Sequence, residues 1–302
     1  MHIRGWLVFN LGEQIFDAEF LKKLDTIVIN VRMMMNAGSG GNRKSRSKGS
    51  SVEFSDFREY SLGDDFRRID WNAYGRFDRL FVKLFMEERE ATVNIFVDSS
   101  RSMYFGEPKK SLSALKLSGV MAYLALNNLD RVCLNSLNGT LIKHTPALNG
   151  RGMFRRCVDF LENMQFDGIT DLNTCIKKKE FKGSGVSVVL SDFFTPGGIE
   201  DAVKYLLYKK QDVILVHVLA PEELNPEIEG QIRLLDSETG EAKDISVTPA
   251  LLKQYDKELN LFINKIREFC SRVGATYVQV SSEEPIEKIV FDEFAKAGII
   301  GK

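Results

Sequence analysis

The chain has 302 residues, 44% hydrophobic and 27% charged, so it can bury a substantial core and falls outside the mainly disordered classes. A formal net charge of -1 supplies no overall field for nucleic acid or anionic lipid, and binding of either would need a local patch. Cys133, Cys157, Cys175 and Cys270 contain no C-x-x-C pair, which excludes a zinc knuckle and a dithiol redox motif and fits reduced thiols in the cytoplasm.

The opening MHIRGWLVFNLGEQIF is interrupted by Glu13 and followed by Asp17, without a long apolar run or a small-residue cleavage site, so no signal peptide is expected. Nowhere do about 18 apolar residues follow one another, the usual minimum for a spanning helix, so no integral membrane segment is expected. Phe20, Leu21, Leu24, Ile27, Val28 and Val31 recur at helical spacing and predict a helix over 17–36. The glycine- and serine-rich stretch after it carries Arg43, Lys44, Arg46 and Lys48. These side chains could grip phosphate, but the composition reads as a solvated tether and not as a nucleic-acid site.

Residues 53–90 are dense in both signs of charge with aromatic residues interleaved. Gly63-Asp64-Asp65, Arg67, Arg68, Ile69-Asp70-Trp71 and Arg76 would be unusual as a merely solvated face. Arg and Asp at this density invite bidentate pairing and Trp71 calls for burial, so a folded polar network is expected there.

From Val93 onward short apolar runs alternate with helical stretches. Strands are expected at 93–97, 131–137, 140–144, 186–190, 212–219 and 275–280, and helices at 111–129, 152–164, 171–180, 198–210, 249–272 and 285–297. Continuous Val/Ile/Leu strands separated by helices predict an α/β fold with a doubly wound, mostly parallel sheet covered on both faces. The segment RLLDSETGEAKDISV breaks the alternation and reads as a hairpin near 231–247. The expected organisation is an N-terminal helix, basic loop and charged segment over 1–90, then an α/β domain over 91–302 with that hairpin inserted.

In an open parallel sheet, ligands collect at the carboxyl ends of the strands. The strand at 93–97 runs directly into Asp98-Ser99-Ser100-Arg101-Ser102, a carboxylate and two hydroxyls at alternate positions of a turn. Thr170 precedes a helix and Asp192 ends the strand at 186–190, so both are delivered to the same edge if the strands are parallel. Each member has a plainer reading: serines cap helices, Thr170 could cap the helix beginning near Asp171, and Asp192 could start a turn. Taken as a metal site, an oxygen-only set suits Mg²⁺ first and Mn²⁺ second.

The constellation resembles the metal-ion-dependent adhesion site of von Willebrand factor A domains, which reads D-x-S-x-S, then Thr, then Asp. Asp98, Ser100, Ser102, Thr170 and Asp192 fill those slots in order. In that family the cation keeps one position open for a carboxylate of the partner, so the resemblance implies metal-dependent protein binding and no catalytic residue. Neutral hydroxyl ligands agree with this, because they leave positive charge on the ion for an incoming Asp or Glu.

The upstream segment resembles the bacterial family called domain of unknown function 58, whose pattern includes E-F, R-x-Y, G-D-D-x-R-x-I-D-W and a following D-x-S-x-S. Here these are Glu53-Phe54, Arg58-Glu59-Tyr60, Gly63 to Trp71 and Asp98. The similarity continues through Asp130-Arg131-Val132, Ser191-Asp192 and Leu235 to Glu241, about residues 45–285 in all. Ser61-Leu62 departs from the family, which commonly has proline there. The resemblance implies a von Willebrand factor A-like fold. It also implies an adaptor role beside a MoxR-type AAA+ ATPase in assembly or maturation of other proteins, since members are often encoded next to such ATPases.

Two alternatives remain open in the sequence. A metal-dependent hydrolase or phosphotransferase is one, although Ser100 stands where a D-x-D phosphatase would have its second Asp, and neither a G-x-x-x-x-G-K-[ST] loop nor a G-x-S-x-G elbow occurs. His217 lies within an apolar strand and reads as a core residue, which leaves no triad. An interaction module with an empty metal site is the other.

Overall fold

A computed structural model describes residues 18–29, 52–61, 66, 69–87, 91–235 and 242–301. They fall into two compact units, residues 52–87 in one and residues 18–29 with 91–301 in the other.

Helix α1 (Ala18–Leu24) buries Phe20 and Leu24 in the core of the larger unit. It stops there because Thr26, Ile27, Val28 and Ile29 are β-branched and favour extended backbone. Val28 and Ile29 form β1, which pairs antiparallel with Ile300 and Gly301 near the other end of the chain. The helix expected over 17–36 is therefore a seven-residue helix followed by a strand. Val31 and the basic residues at 43–48 lie outside the described residues.

The smaller unit is an antiparallel pair, β2 (Val52–Glu59) and β3 (Phe81–Glu87), with α2 (Trp71–Phe77) between them. Asp70 caps α2: its Oδ1 accepts from the backbone N–H groups of Asn72 at 2.9 Å and Ala73 at 3.2 Å. Trp71 is 64% exposed, against expectation, and lies edge-on to Tyr74 with ring centroids 6.3 Å apart. The short α2 buries none of its own residues, so Asp70, as the cap, is the anchored member of this stretch. Gly63, Asp64, Asp65, Arg67 and Arg68 lie outside the described residues.

The larger unit is built on β4 (Thr92–Asp98), β5 (Arg131–Asn138), β6 (Leu141–His144), β7 (Leu148–Asn149), β8 (Gly185–Ser191), β9 (Gln211–Leu219) and β12 (Thr276–Ser281). Their order is β12-β9-β8-β4-β5-β6, with β7 also on β5. All pairings are parallel except those of β6 and β7 with β5. This is the doubly wound, mostly parallel sheet expected, and the hairpin of β10 (Gly230–Leu235) and β11 (Ala242–Val247) stands apart from it.

Side chains alternate across the sheet with the two-residue period of a strand. Val93, Ile95, Val97, Val186, Val188 and Leu190 face one core with α3 (Lys110–Asn127) and α4 (Phe154–Glu162). Phe96, Val189 and Leu215 face the other with α5 (Leu172–Lys177), α6 (Glu200–Tyr208) and the second half of α8 (Pro249–Val273). Helix α3 is buried nearly throughout, including Gly119, Ala122 and Ala125, whose small side chains let it approach the sheet closely.

Helix α8 begins where Thr248 accepts the Leu251 N–H and Pro249 occupies the first turn, and it ends at Gly274 in left-handed conformation. It packs through its later turns. Leu259, Ile263, Ile266 and Phe269 are buried, whereas Leu251 and Tyr255 remain exposed. The chain closes with a single turn, α9 (Ile286–Lys288), a π-helical stretch over Ile289–Phe294, and β13 (Ile300–Gly301). No helix among the described residues is long and apolar enough to cross a membrane.

Candidate metal centre

Parallel pairing brings the ends of three strands to one edge: Asp98 of β4 pairs with Leu137 of β5, and Val97 pairs with Leu190 of β8. Asp98 is buried there with both oxygens engaged. Its Oδ1 accepts from the Ser100 N–H at 2.9 Å and its Oδ2 from the Ser191 hydroxyl at 2.6 Å. The chain then turns through a short 3-10 stretch, Arg101–Tyr104, which carries Ser102 back beside Ser100, their hydroxyl oxygens 3.0 Å apart. Each hydroxyl retains a lone pair beyond this contact.

A second loop is stitched to the first. Arg101 N–H donates to Gly168 O at 2.9 Å, Asp167 N–H donates to Ser99 O at 3.0 Å, and the Asn138 amide donates to Asp167 Oδ1 at 2.8 Å. Gly168, with φ of +65°, supplies the left-handed turn that sets Thr170 beside Gly139 at the end of β5. Thr170 is buried and its hydroxyl donates to Leu137 O at 3.2 Å. The cap of α5 is Asp171, whose Oδ1 accepts the Thr174 N–H at 3.0 Å. Capping therefore does not account for Thr170.

Asp192 follows β8 directly and is buried. Its Oδ1 accepts the Phe194 N–H at 3.1 Å, the local turn that the sequence left open. Its Oδ2 accepts from Lys110 Nζ at 2.7 Å, and the same ammonium lies 2.5 Å from Glu223 Oε1 in α7 (Pro221–Leu224). All five expected residues thus meet at the carboxyl edge of the sheet. Lys110, Glu223 and Ser191 are partners that sequence reasoning missed. A faint signal existed for one of them: Lys109-Lys110 open an otherwise buried helix, where the helix dipole disfavours a cation, so an acidic partner is implied.

The electrostatics follow from burial. Asp98 is pushed up to about 6, first by desolvation and then by the neighbouring Asp192 carboxylate, while hydrogen bonds from Ser191 and Ser100 oppose the shift. Burial likewise raises Glu223, with Lys110 pulling the other way. His217, whose Nδ1 is 2.7 Å from Tyr277 Oη, is pushed down to about 4 by burial among Phe193, Phe262 and Tyr277. It is a neutral core residue.

Among the described residues no three His, Cys, Asp or Glu side chains form a metal cage. The donors brought to this edge are two carboxylates and three hydroxyls, all hard oxygens. Two buried carboxylates that repel one another, beside hydroxyls with lone pairs to spare, fit a hard divalent cation.

Residues 56–260 match the family model described as "Protein of unknown function DUF58". The chain belongs to this family. The uncharacterized proteins Mb1516 of Mycobacterium bovis and Rv1480 of Mycobacterium tuberculosis are each 25% identical over 248 residues, covering 80% of this chain and 78% of theirs. Among solved structures, the conserved hypothetical protein BatB from Bacteroides thetaiotaomicron is 17% identical, covering 68% of this chain and 98% of its own with a TM-score of 0.41. The SpRpn10 VWA domain is 10% identical, covering 67% of this chain and 94% of its own with a TM-score of 0.38. The mostly parallel sheet order is the arrangement expected of a von Willebrand factor A-like fold.

Proposed function

We propose that this chain is a cytoplasmic, metal-dependent protein-binding adaptor. Asp98, Ser100, Ser102, Thr170 and Asp192 hold Mg²⁺, or Mn²⁺ in its place, and a carboxylate of the partner completes the shell. The observation that supports this reading is that three separate stretches of chain bring those five side chains to one edge of the sheet, with Asp98, Ser100, Thr170 and Asp192 buried there. The family resemblance supports a MoxR-type AAA+ ATPase as the partner. Two residues support an adaptor reading over a hydrolase: Ser100 stands where a D-x-D phosphatase would place its second Asp, and His217 is neutral and packed among aromatic rings.

The test is capture of the partner by the purified chain with and without EDTA, alongside Asp98→Ala. Loss of capture in both supports the reading. Undiminished capture in either sinks it.

One observation favours a second reading, an interaction module without metal: Lys110 already gives Asp192 a cationic partner. Calorimetry separates the two, because an empty site gives no saturable heat with Mg²⁺ or Mn²⁺.

A further inference from the structure

Lys110 is fully buried at the start of α3, and its ammonium bridges two carboxylates from separate elements, Asp192 after β8 and Glu223 in α7. Glu223 is itself held in place. Its Oε2 accepts the Ala220 N–H at 2.8 Å, and its backbone carbonyl accepts from the Tyr255 hydroxyl at 2.8 Å. The rings of Phe105 and Phe194 lie 5.8 and 5.7 Å from Nζ. A lysine enclosed in this way loses its hydration and most of its side-chain freedom, and it breaks the preference of a helix start for acidic residues. Such a costly arrangement at the edge of the proposed metal centre calls for an account.

The charges provide one. Asp98, Asp192 and Glu223 bring three negative charges when ionised, and Lys110 returns one positive charge, which leaves two to be balanced. A divalent cation balances them, so a carboxylate arriving from outside meets a neutral site. Without Lys110 the same site, cation included, would carry a net negative charge and repel the carboxylate. Both Asp192 oxygens are moreover already engaged, one by Lys110 and one by the Phe194 N–H, so Asp192 has less negative charge to lend to a cation.

We propose that Lys110 sets the selectivity of this site, weakening its hold on the divalent cation and thereby enabling capture of a carboxylate ligand. It is a positioning and charge-setting residue that acts through Asp192. The inference rests on the metal-binding reading above.

Mn²⁺ is the probe, with the full chain as wild type, Lys110→Met and Glu223→Gln. Calorimetry gives cation affinity, and the water-proton relaxation of the Mn²⁺-loaded protein, titrated with acetate, gives carboxylate capture. Lys110→Met is expected to bind Mn²⁺ at least tenfold more tightly and acetate at least tenfold more weakly. Glu223→Gln removes one negative charge and leaves the lysine, so it is expected to shift both affinities the opposite way. This holds the inference to account even if Lys110→Met does not fold. Variants that match wild type in both titrations overturn the role of Lys110 and leave the metal site standing. A wild type that binds no Mn²⁺ removes the underlying reading and the inference together.

Discussion

Lys110 Nζ and Asp192 Oδ2 lie 2.7 Å apart, with neither side chain more than 1% exposed. Removing one partner of a buried pair costs about 3–5 kcal/mol when the other charge is left uncompensated; Lys110 keeps Glu223 when Asp192 is lost, whereas loss of Lys110 leaves both carboxylates without their shared cation. Unfolded in urea with EDTA present, Lys110→Ala is expected to lose stability on that scale and Asp192→Asn less, because Lys110 keeps Glu223. The double variant is expected to lose clearly less than the sum. Additive losses would mean that the two groups do not act as a pair.

Thr170 and Asp171 are adjacent but have separate work. Asp171 caps α5 and Thr170 does not. Asp171→Ala is expected to cost about 1 kcal/mol of stability, the typical worth of a cap, and to leave Mg²⁺ binding intact. Thr170→Val is expected to do the reverse, weakening Mg²⁺ binding with little change in the urea midpoint.

Cation binding is expected to depend on acidity through Asp98. Its carboxyl titrates at about 6 in the cation-free protein, raised by burial and by Asp192, so the ion displaces a proton below that pH. Calorimetric Mg²⁺ affinity is expected to hold between pH 7 and 8 and to fall by up to about tenfold per unit below pH 6. In the cation-free protein the raised carboxyl favours the native state most at low pH, and that contribution is lost as pH rises through 4 to 6.

His217 acts on stability with the opposite sign. Its native value is depressed to about 4 from an ordinary 6.5, so between those values the unfolded chain binds a proton that the native chain refuses. The contribution is fully present above pH 6.5 and declines as pH falls to 4, by about 3 kcal/mol at most. Subtracting the urea stability of His217→Phe from that of wild type across this range isolates the effect. A flat difference would show that the imidazole is not held neutral.

Much of the fold was legible because central strands such as β8 and β9 are nearly continuous runs of Val, Ile and Leu, and helices such as α4 keep one apolar face, although α3 is buried nearly throughout. The oxygen-bearing site residues were legible for a related reason: Asp98, Ser100, Ser102 and Asp192 follow such strands directly, and a parallel sheet sends them all to one edge. Lys110 and Glu223 were not, since each is a charged residue that alone reads as surface, and 113 positions of sequence separate them. Trp71 misled because composition calls for burial while the helix it opens buries none of its residues. Thr170 and Asp171 both carry the chemistry of a cap, and only the backbone geometry assigns it to Asp171.

The central claim is that Ser100 and Ser102, with Asp98 beside them, hold a divalent cation. Calorimetric titration of Mg²⁺ into the wild-type chain at pH 7.5, paralleled by the double variant Ser100→Ala/Ser102→Ala, tests it most directly. The account predicts saturable binding of one ion in the wild type, abolished in the variant while its urea stability changes little. Binding that survives the loss of both hydroxyls, or no saturable heat in the wild type, would contradict it.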